Sequence, residues 1–114
     1  GKAKITRGYE LPAKYVIHTV GPFYSGDDRK DSALLESCYR SVFRIMRERG
    51  IRSISFPSIS TGAYRYPLKK AAKIAVDTVV DELSRTNEVK KVVFVCFNDK
   101  THEIYREYLK EKKE

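Results

Sequence analysis

Residues 55–67, SFPSISTGAYRYP, decide how this chain is organised. An apolar, β-branched run ends at Pro57, small hydroxyl residues and Gly62 follow, and a helical pattern begins at Pro67. A strand, a hydroxyl-rich loop and a helix N-terminus form an arrangement that holds phosphate, because free loop N–H groups and the positive helix end act together. Gly62 permits a positive φ or a close backbone approach to a ligand. The stretch predicts an anion site.

An ordinary loop that binds nothing is the competing interpretation, since no nucleotide-binding glycine fingerprint is present.

Strands and helices alternate along the rest of the sequence. Apolar and β-branched runs predict strands over residues 3–6, 15–20, 52–56 and 89–97. Helical spacing predicts a helix that Asp31 or Ser32 caps and Gly50 ends, a second from Pro67 to Leu83, and a third that residues 98–101 cap. This order predicts an α/β fold in one domain, residues 1–114, with a mostly parallel sheet. The nearly continuous apolar run at 89–97 predicts a strand buried on both faces.

Residues 57–64, PSISTGAY, resemble the second ligand loop of macrodomains, which are ADP-ribose-binding modules. The resemblance extends to residues 1–13, GKAKITRGYELPA, to residues 15–22, YVIHTVGP, and to the strand that ends before Asn98. It covers nearly the whole chain. It implies a three-layer αβα domain of the type that processes ADP-ribose 1″-phosphate. Ligands of such sheets bind beyond the carboxyl ends of the strands.

Two family features do not occur in this sequence: an Asn-Ala-Ala-Asn segment and a Gly-rich loop. We therefore interpret the chain as the C-terminal portion of a macrodomain, with about four strands and three helices. In macrodomains the absent strand lies between the counterparts of residues 15–20 and 52–56, so its loss leaves unpaired strand edges. We expect these two strands to close up into one four-stranded sheet. The alternative is that a second chain fills the gap.

The resemblance also implies a set of ligand-binding residues. Backbone N–H groups of the loop would hold the diphosphate and the distal ribose, Tyr64 would wall that ribose, and Phe97 would pack on adenine. Packing in the core is the alternative role of both aromatic side chains. The predicted ligand-binding residues are Ser58, Ser60, Thr61, Gly62, Ala63, Tyr64, Phe97 and Asn98.

We predict no catalytic residue, no metal ligand and no cofactor. The sequence has no Ser/His/Asp or Cys/His arrangement, and His18 is interpreted as a structural strand residue. Many macrodomains hydrolyse ADP-ribosyl groups or O-acetyl-ADP-ribose with residues of the segment that does not occur here. We therefore expect an ADP-ribose-binding module derived from a hydrolase, with weakened or no activity. Whether the chain is an enzyme stays open.

The formal net charge of +8 favours anionic partners. ADP-ribose or an ADP-ribosylated protein is the first candidate, and RNA or DNA is the second, although no zinc-finger spacing or RNP motif supports it. A third interpretation is a structural fragment that folds or forms a homodimer through exposed sheet edges. Cys38 and Cys96 are predicted to be buried free thiols of a cytoplasmic protein. No apolar run approaches the roughly 20 residues of a membrane span, so no membrane partner is expected.

Overall fold

The computed structural model describes residues 2–7, 15–62, 64–96 and 98–113. Along the chain it has β1 (Ala3–Arg7), β2 (Tyr15–Thr19), α1 (Asp28–Arg49), β3 (Ser53–Pro57), α2 (Leu68–Ser84), β4 (Lys91–Val95) and α3 (Asp99–Lys113). The predicted α/β class is confirmed, with the expected four strands and three helices in the expected order.

The four strands form two sheets. β1 pairs with β2 in antiparallel fashion, with Ile5 opposite Ile17, and β3 pairs with β4 in parallel fashion, with Phe56 opposite Phe94. The expectation that β2 and β3 close up into one sheet is therefore wrong, because no ladder joins them in the described part of the chain. α1 supplies the physical reason. It contacts β1 and β2, and it also packs under Phe56 of β3, so closure would break established core contacts.

The helices cover one face of the β3–β4 sheet. The Phe56 ring packs on α1, and its neighbour Phe94 lies 5.0 Å from the Tyr105 ring of α3, measured between ring centroids. On the opposite face, Val93 and Val95 are 38% and 41% exposed. The prediction of a strand buried on both faces is wrong, because alternate side chains of β4 face solvent. Within the described residues, the helical layer of this sheet lies on one side.

α1 begins one turn earlier than predicted. The Asp27 carboxylate accepts a hydrogen bond from the Lys30 N–H at 3.1 Å and caps the helix. Asp31, one of the two predicted caps, is instead buried within the first turns, where it accepts hydrogen bonds from the N–H and hydroxyl of Ser25 at 2.8 and 2.9 Å. The predicted end is confirmed, since Gly50 adopts a left-handed φ of 65°.

The core lies where α1, α2 and the inner strand faces meet. The apolar stripes predicted from helical spacing are confirmed; their fully buried members are Leu35, Cys38, Tyr39, Phe43, Met46, Ala72, Ala75 and Val76. Both cysteines are free thiols. Cys38 is buried as predicted, whereas Cys96 is only partly buried, so the prediction for Cys96 is wrong. None of the helices in the described ranges has the length and apolar character needed to cross a membrane.

Candidate functional site

The loop between β3 and α2, residues 58–66, is closed by its own backbone. The Tyr66 N–H donates to the Ser60 carbonyl at 2.9 Å, and the Arg65 N–H donates to the Gly62 carbonyl at 3.0 Å. Ser60 and Arg65 have φ values of 66° and 59°, in the left-handed region that disfavours residues with a side chain. Such conformations persist where surrounding contacts determine them, and they are frequent at ligand sites.

Gly62 does not supply the positive φ that the sequence suggested. Its backbone lies outside the left-handed region, and Ser60 and Arg65 adopt that conformation instead. A Cβ atom built on Gly62 meets no atom of the described residues within 4 Å. Packing within the loop therefore does not require glycine at this position. Of the two predicted reasons for glycine, a close approach of the backbone to a ligand is the one that the geometry leaves open.

The tip of the loop presents backbone donors. In the part of the chain that the structure describes, the N–H groups of Thr61, Gly62 and Tyr64 donate to no acceptor. Successive free N–H groups in a tight turn carry a positive partial charge and form a concavity suited to an anion. The loop can therefore bind a phosphate or a diphosphate through its main chain.

A line of hydroxyl groups fastens this loop to the core. The Thr61 hydroxyl donates to the Ser58 hydroxyl at 2.8 Å, and the Ser58 and Tyr105 hydroxyls lie 3.2 Å apart. Tyr105 is hydrogen-bonded in turn to Tyr39. Burial raises the pKa of both tyrosine hydroxyls, so they remain protonated and can donate. The loop is thus anchored to α1 and α3 together.

Ser60 points inward. Its hydroxyl oxygen is buried and has no hydrogen-bond partner in the described ranges. The side chain packs on Gly21, two residues after β2, where an added Cβ would overlap Ser60 Oγ and lie 2.6 Å from Ile59 Cγ2. Gly21 is therefore required by this close approach. Any contribution of Ser60 to a ligand comes from its main chain.

The loop between β2 and α1 packs on the site. The Tyr24 N–H donates to the Tyr64 carbonyl at 2.9 Å. The Phe23 ring stacks on the Tyr64 ring with a centroid separation of 3.9 Å and an interplanar angle of 27°. Two consecutive residues therefore hold the main chain and the side chain of Tyr64.

The β2–α1 loop is anchored by an ion pair at the start of α1. The Tyr24 hydroxyl donates to Asp28 at 2.9 Å, and Lys70 in the first turn of α2 donates to the same carboxylate at 2.9 Å. The hydrogen bond from Lys70 lowers the pKa of the Asp28 carboxyl. Lys70 therefore ties the first turn of α2 to Tyr24 of the β2–α1 loop and to the first residue of α1.

The remaining predicted residues are placed as follows. Asn98 caps α3, since its side-chain oxygen accepts a hydrogen bond from the Thr101 N–H at 2.8 Å. This confirms the capping role that the sequence indicated, while a contact with adenine stays a prediction. Ala63 and Phe97 lie outside the described residues.

Sequence reasoning missed Tyr24, Tyr39 and Tyr105 as parts of the site. Tyr39 and Tyr105 occur in apolar stripes, where a tyrosine is indistinguishable from any other packing side chain. Their hydroxyl contacts join residues far apart in sequence, so no local pattern could reveal them.

A separate groove of about 480 Å³ lies among α2, β4 and α3 and includes no residue of the 58–66 loop. Its lining is mostly apolar, with Leu83, Phe94 and Leu109 among its members, and His102, Arg106 and Lys110 also line it. Within the described ranges, no group of three or more His, Cys, Asp or Glu side chains could hold a metal ion. The chemistry that the residues of the 58–66 loop support is anion binding through the main chain.

Residues 1–75 match the family model of the Macro domain, and the chain belongs to the macrodomain family. The O-acetyl-ADP-ribose deacetylase of Enterobacter cloacae is 47% identical over 109 residues, which cover 96% of this chain and 61% of that protein. The resemblance found in the sequence is thus confirmed.

Solved macrodomain structures share the fold. The Oceanobacillus iheyensis macrodomain with ADP has a TM-score of 0.93 at 38% identity, over 98% of this chain and 58% of that chain. The Trypanosoma brucei macrodomain in complex with ADP-ribose has a TM-score of 0.87 at 35% identity, over 94% of this chain and 44% of that chain. The chain thus spans less than two thirds of each of these relatives.

Proposed function

We propose that this chain binds ADP-ribose, or a closely related nucleoside diphosphate, through the loop of residues 58–66. The observation that carries the proposal is the set of free N–H groups on Thr61, Gly62 and Tyr64. The loop is already folded around left-handed residues and fixed to two helices, so little ordering is needed on binding. Related macrodomains with ADP and ADP-ribose support the choice of ligand.

In this proposal the loop N–H groups from Ser60 to Tyr64, including that of Ala63, hold the diphosphate. The Tyr64 ring walls the distal ribose. Ser58 holds the floor of the loop in place through Tyr105. Phe97 and Asn98 contact the adenine, at the opposite end of the ligand.

We further propose that residues 1–114 bind without efficient turnover. Positioning of reactants from several sides supplies a large part of a catalysed rate, about 7–11 kcal/mol in favourable cases. This chain covers 61% of the related deacetylase. The free N–H groups of the 58–66 loop contact a ligand from one side only in this proposal. An ADP-ribosylated protein is the expected biological target. The free thiols of Cys38 and Cys96 favour a cytoplasmic location.

Self-association is a second candidate function, because one observation favours it. β2 and β3 each have an edge that no described strand pairs, and free edges are templates for pairing with another chain. Sedimentation over a range of concentrations distinguishes the two candidates, since a ligand-binding monomer keeps one sedimentation coefficient.

The test of ligand binding is a calorimetric titration with ADP-ribose at low and at high salt, on the wild-type chain and on Gly62→Val. We expect saturable binding that tolerates salt, and a loss of at least about tenfold in the variant, because the valine side chain occupies the space of the anion. A Cβ built at Gly62 meets no atom of the described residues within 4 Å, so the melting temperature should change little.

Two results would contradict this proposal. Unchanged affinity of Gly62→Val would place the ligand elsewhere. Binding that falls steeply with salt and extends to single-stranded oligonucleotides would favour the nucleic-acid alternative.

A further inference from the structure

The Phe23 side chain combines high exposure with the closest aromatic contact in the described residues. It is 66% exposed, yet its ring centroid lies 3.9 Å from that of Tyr64. The other aromatic pairs in those ranges have separations of 5.0 to 6.2 Å. An apolar ring that leaves two thirds of its surface in water contributes little to the core. Its principal contact is with a residue of the proposed site.

The contact continues into the rigid part of the molecule. Tyr24, the next residue, holds the Tyr64 carbonyl through its N–H and binds Asp28 through its hydroxyl. Asp28 is fixed in turn by Lys70 of α2. The β2–α1 loop is therefore anchored at the start of two helices, and Phe23 extends from it onto the Tyr64 ring.

The Tyr64 ring needs such support. Tyr64 lies two residues after the exposed Gly62 and directly before Arg65, whose left-handed φ turns the chain sharply. The ring is only partly buried, so the packed core does not fix its rotamer. Stacking on Phe23 favours one orientation of the Tyr64 ring, because aromatic pairs have preferred relative geometries.

We propose that Phe23 is a positioning residue that fixes the Tyr64 ring as the ribose wall of the site, and thereby sets the preference for ligands with a sugar beyond the diphosphate. This inference rests on the proposed function, in which the loop N–H groups bind the diphosphate and Tyr64 faces the distal ribose. Phe23 itself does not touch the diphosphate. Its loss therefore weakens the contact with the sugar and leaves the contact with the phosphates.

The first test compares ADP-ribose with ADP, which lacks the distal ribose. Wild type, Phe23→Ala and Phe23→Tyr are titrated with both ligands. We expect Phe23→Ala to weaken ADP-ribose binding about threefold to tenfold and to leave ADP binding unchanged, and Phe23→Tyr, which keeps the ring, to restore the preference. Equal losses for both ligands would show a merely structural role and overturn the inference. If the wild type bound neither ADP-ribose nor ADP, the proposed function would be refuted instead.

A second test needs no ligand. Tyr64 ring protons beside a stacked phenyl ring have resonances shifted by its ring current, and labelled tyrosine makes them observable by NMR. In Phe23→Leu these resonances should move to the positions of a free tyrosine, while in Phe23→Tyr they should stay shifted. A Tyr64 spectrum that is the same in wild type and Phe23→Leu would overturn the inference even if the chain bound nothing.

Discussion

The Ser58 hydroxyl, on the loop before α2, lies 3.2 Å from the hydroxyl of Tyr105 on α3. Tyr105 is buried and also shares a hydrogen bond with Tyr39 on α1. One phenolic group thus connects the proposed ligand loop to two helices that are distant in sequence. The position of the free N–H groups depends on this connection.

Replacing Tyr105 by phenylalanine should therefore lower both stability and affinity. The ring stays, but the hydrogen bonds to Ser58 and Tyr39 are lost, at a cost of about 1 kcal/mol in the free energy of unfolding. ADP-ribose binding should weaken as the loop loses its anchor. Urea denaturation and calorimetry measure the two effects. The matched control is Tyr108→Phe on the same helix, because no described group accepts a hydrogen bond from Tyr108. Equal behaviour of the two variants would argue against the anchor.

Gly21→Ala should distort the 58–66 loop at Ser60, where Gly21 packs against it. The new Cβ would overlap Ser60 Oγ and approach Ile59 Cγ2. Either the β2–α1 loop or the 58–66 loop must therefore shift, at a cost of about 1–3 kcal/mol in the free energy of unfolding. ADP-ribose affinity should fall with it. Gly62→Ala is the control for the stability measurement alone, since a Cβ built there meets no atom of the described residues within 4 Å and its φ is not left-handed. Its affinity is not compared, because Gly62 belongs to the proposed anion site. A Gly21→Ala variant as stable as the wild type would show that Gly21 and Ser60 leave enough space between them for a methyl group.

The buried carboxylate of Glu82 should make Arg47 important for stability. Its side chain is only 6% exposed and accepts a hydrogen bond from Arg47 Nη1 at 2.9 Å, which joins α2 to α1. Arg47→Met keeps the aliphatic stem and removes the donor. We expect a loss of about 1–2 kcal/mol in unfolding free energy, because Arg47 itself is partly solvated.

Arg44→Met on the same helix is the control for that experiment. Arg44 and Glu48 are 61% and 64% exposed and 4.0 Å apart, so this change should cost less than about 0.5 kcal/mol. The comparison is made by chemical denaturation at one salt concentration. If Arg44→Met destabilised the protein as much as Arg47→Met, burial of Glu82 would not be the cause.

The Asp28–Lys70 ion pair should contribute to stability in a defined pH range. The pKa of Asp28 is lowered from its ordinary value of 3.8 by the hydrogen bond from Lys70, so the folded state binds a proton less readily than the unfolded state. The contribution is therefore present above pH 3.8 and lost as the pH falls through the folded-state pKa. The pKa of Lys70 is raised by the same hydrogen bond. Its contribution is therefore present below its ordinary value of 10.5 and lost at higher pH.

Asp28→Asn isolates this effect. Wild type should unfold at a higher urea concentration than the variant at neutral pH, and the two midpoints should converge in strong acid. If the difference between the two urea midpoints stayed constant from neutral pH to strong acid, the stabilisation would not come from the charge of Asp28.

The parts of the fold that depend on local patterns could be predicted from sequence. Helical spacing identified the buried stripes, and a glycine at position 50 identified the end of α1, because both depend on residues within one or two turns. The start of α1 was misplaced since Asp27, Asp28 and Asp31 are all able to cap a helix. Side-chain burial, which decides among them, is a tertiary property.

The division into two sheets and the construction of the site could not be predicted in the same way. Whether β2 and β3 pair depends on how both strands pack on α1, and residue alternation does not report that. The loop of residues 58–66 was predicted to bind the ligand from its hydroxyl and glycine content, and that role stays a prediction. Its left-handed residues were not, because Ser60 and Arg65 adopt a conformation usually associated with the neighbouring Gly62.

The gap in the backbone ladder between β2 and β3 also determines how the native state opens. Within the described residues, β1 and β2 contact the rest of the molecule through side chains such as those of Ala3 and Ile17, and no strand hydrogen bonds join them to β3 or β4. They can therefore detach as a small cooperative unit while β3, β4 and the helices stay folded. Backbone amides should accordingly exchange with deuterium in two classes. The β1–β2 pair should become labelled at a rate set by this partial opening, and the β3–β4 pair only when the whole domain unfolds.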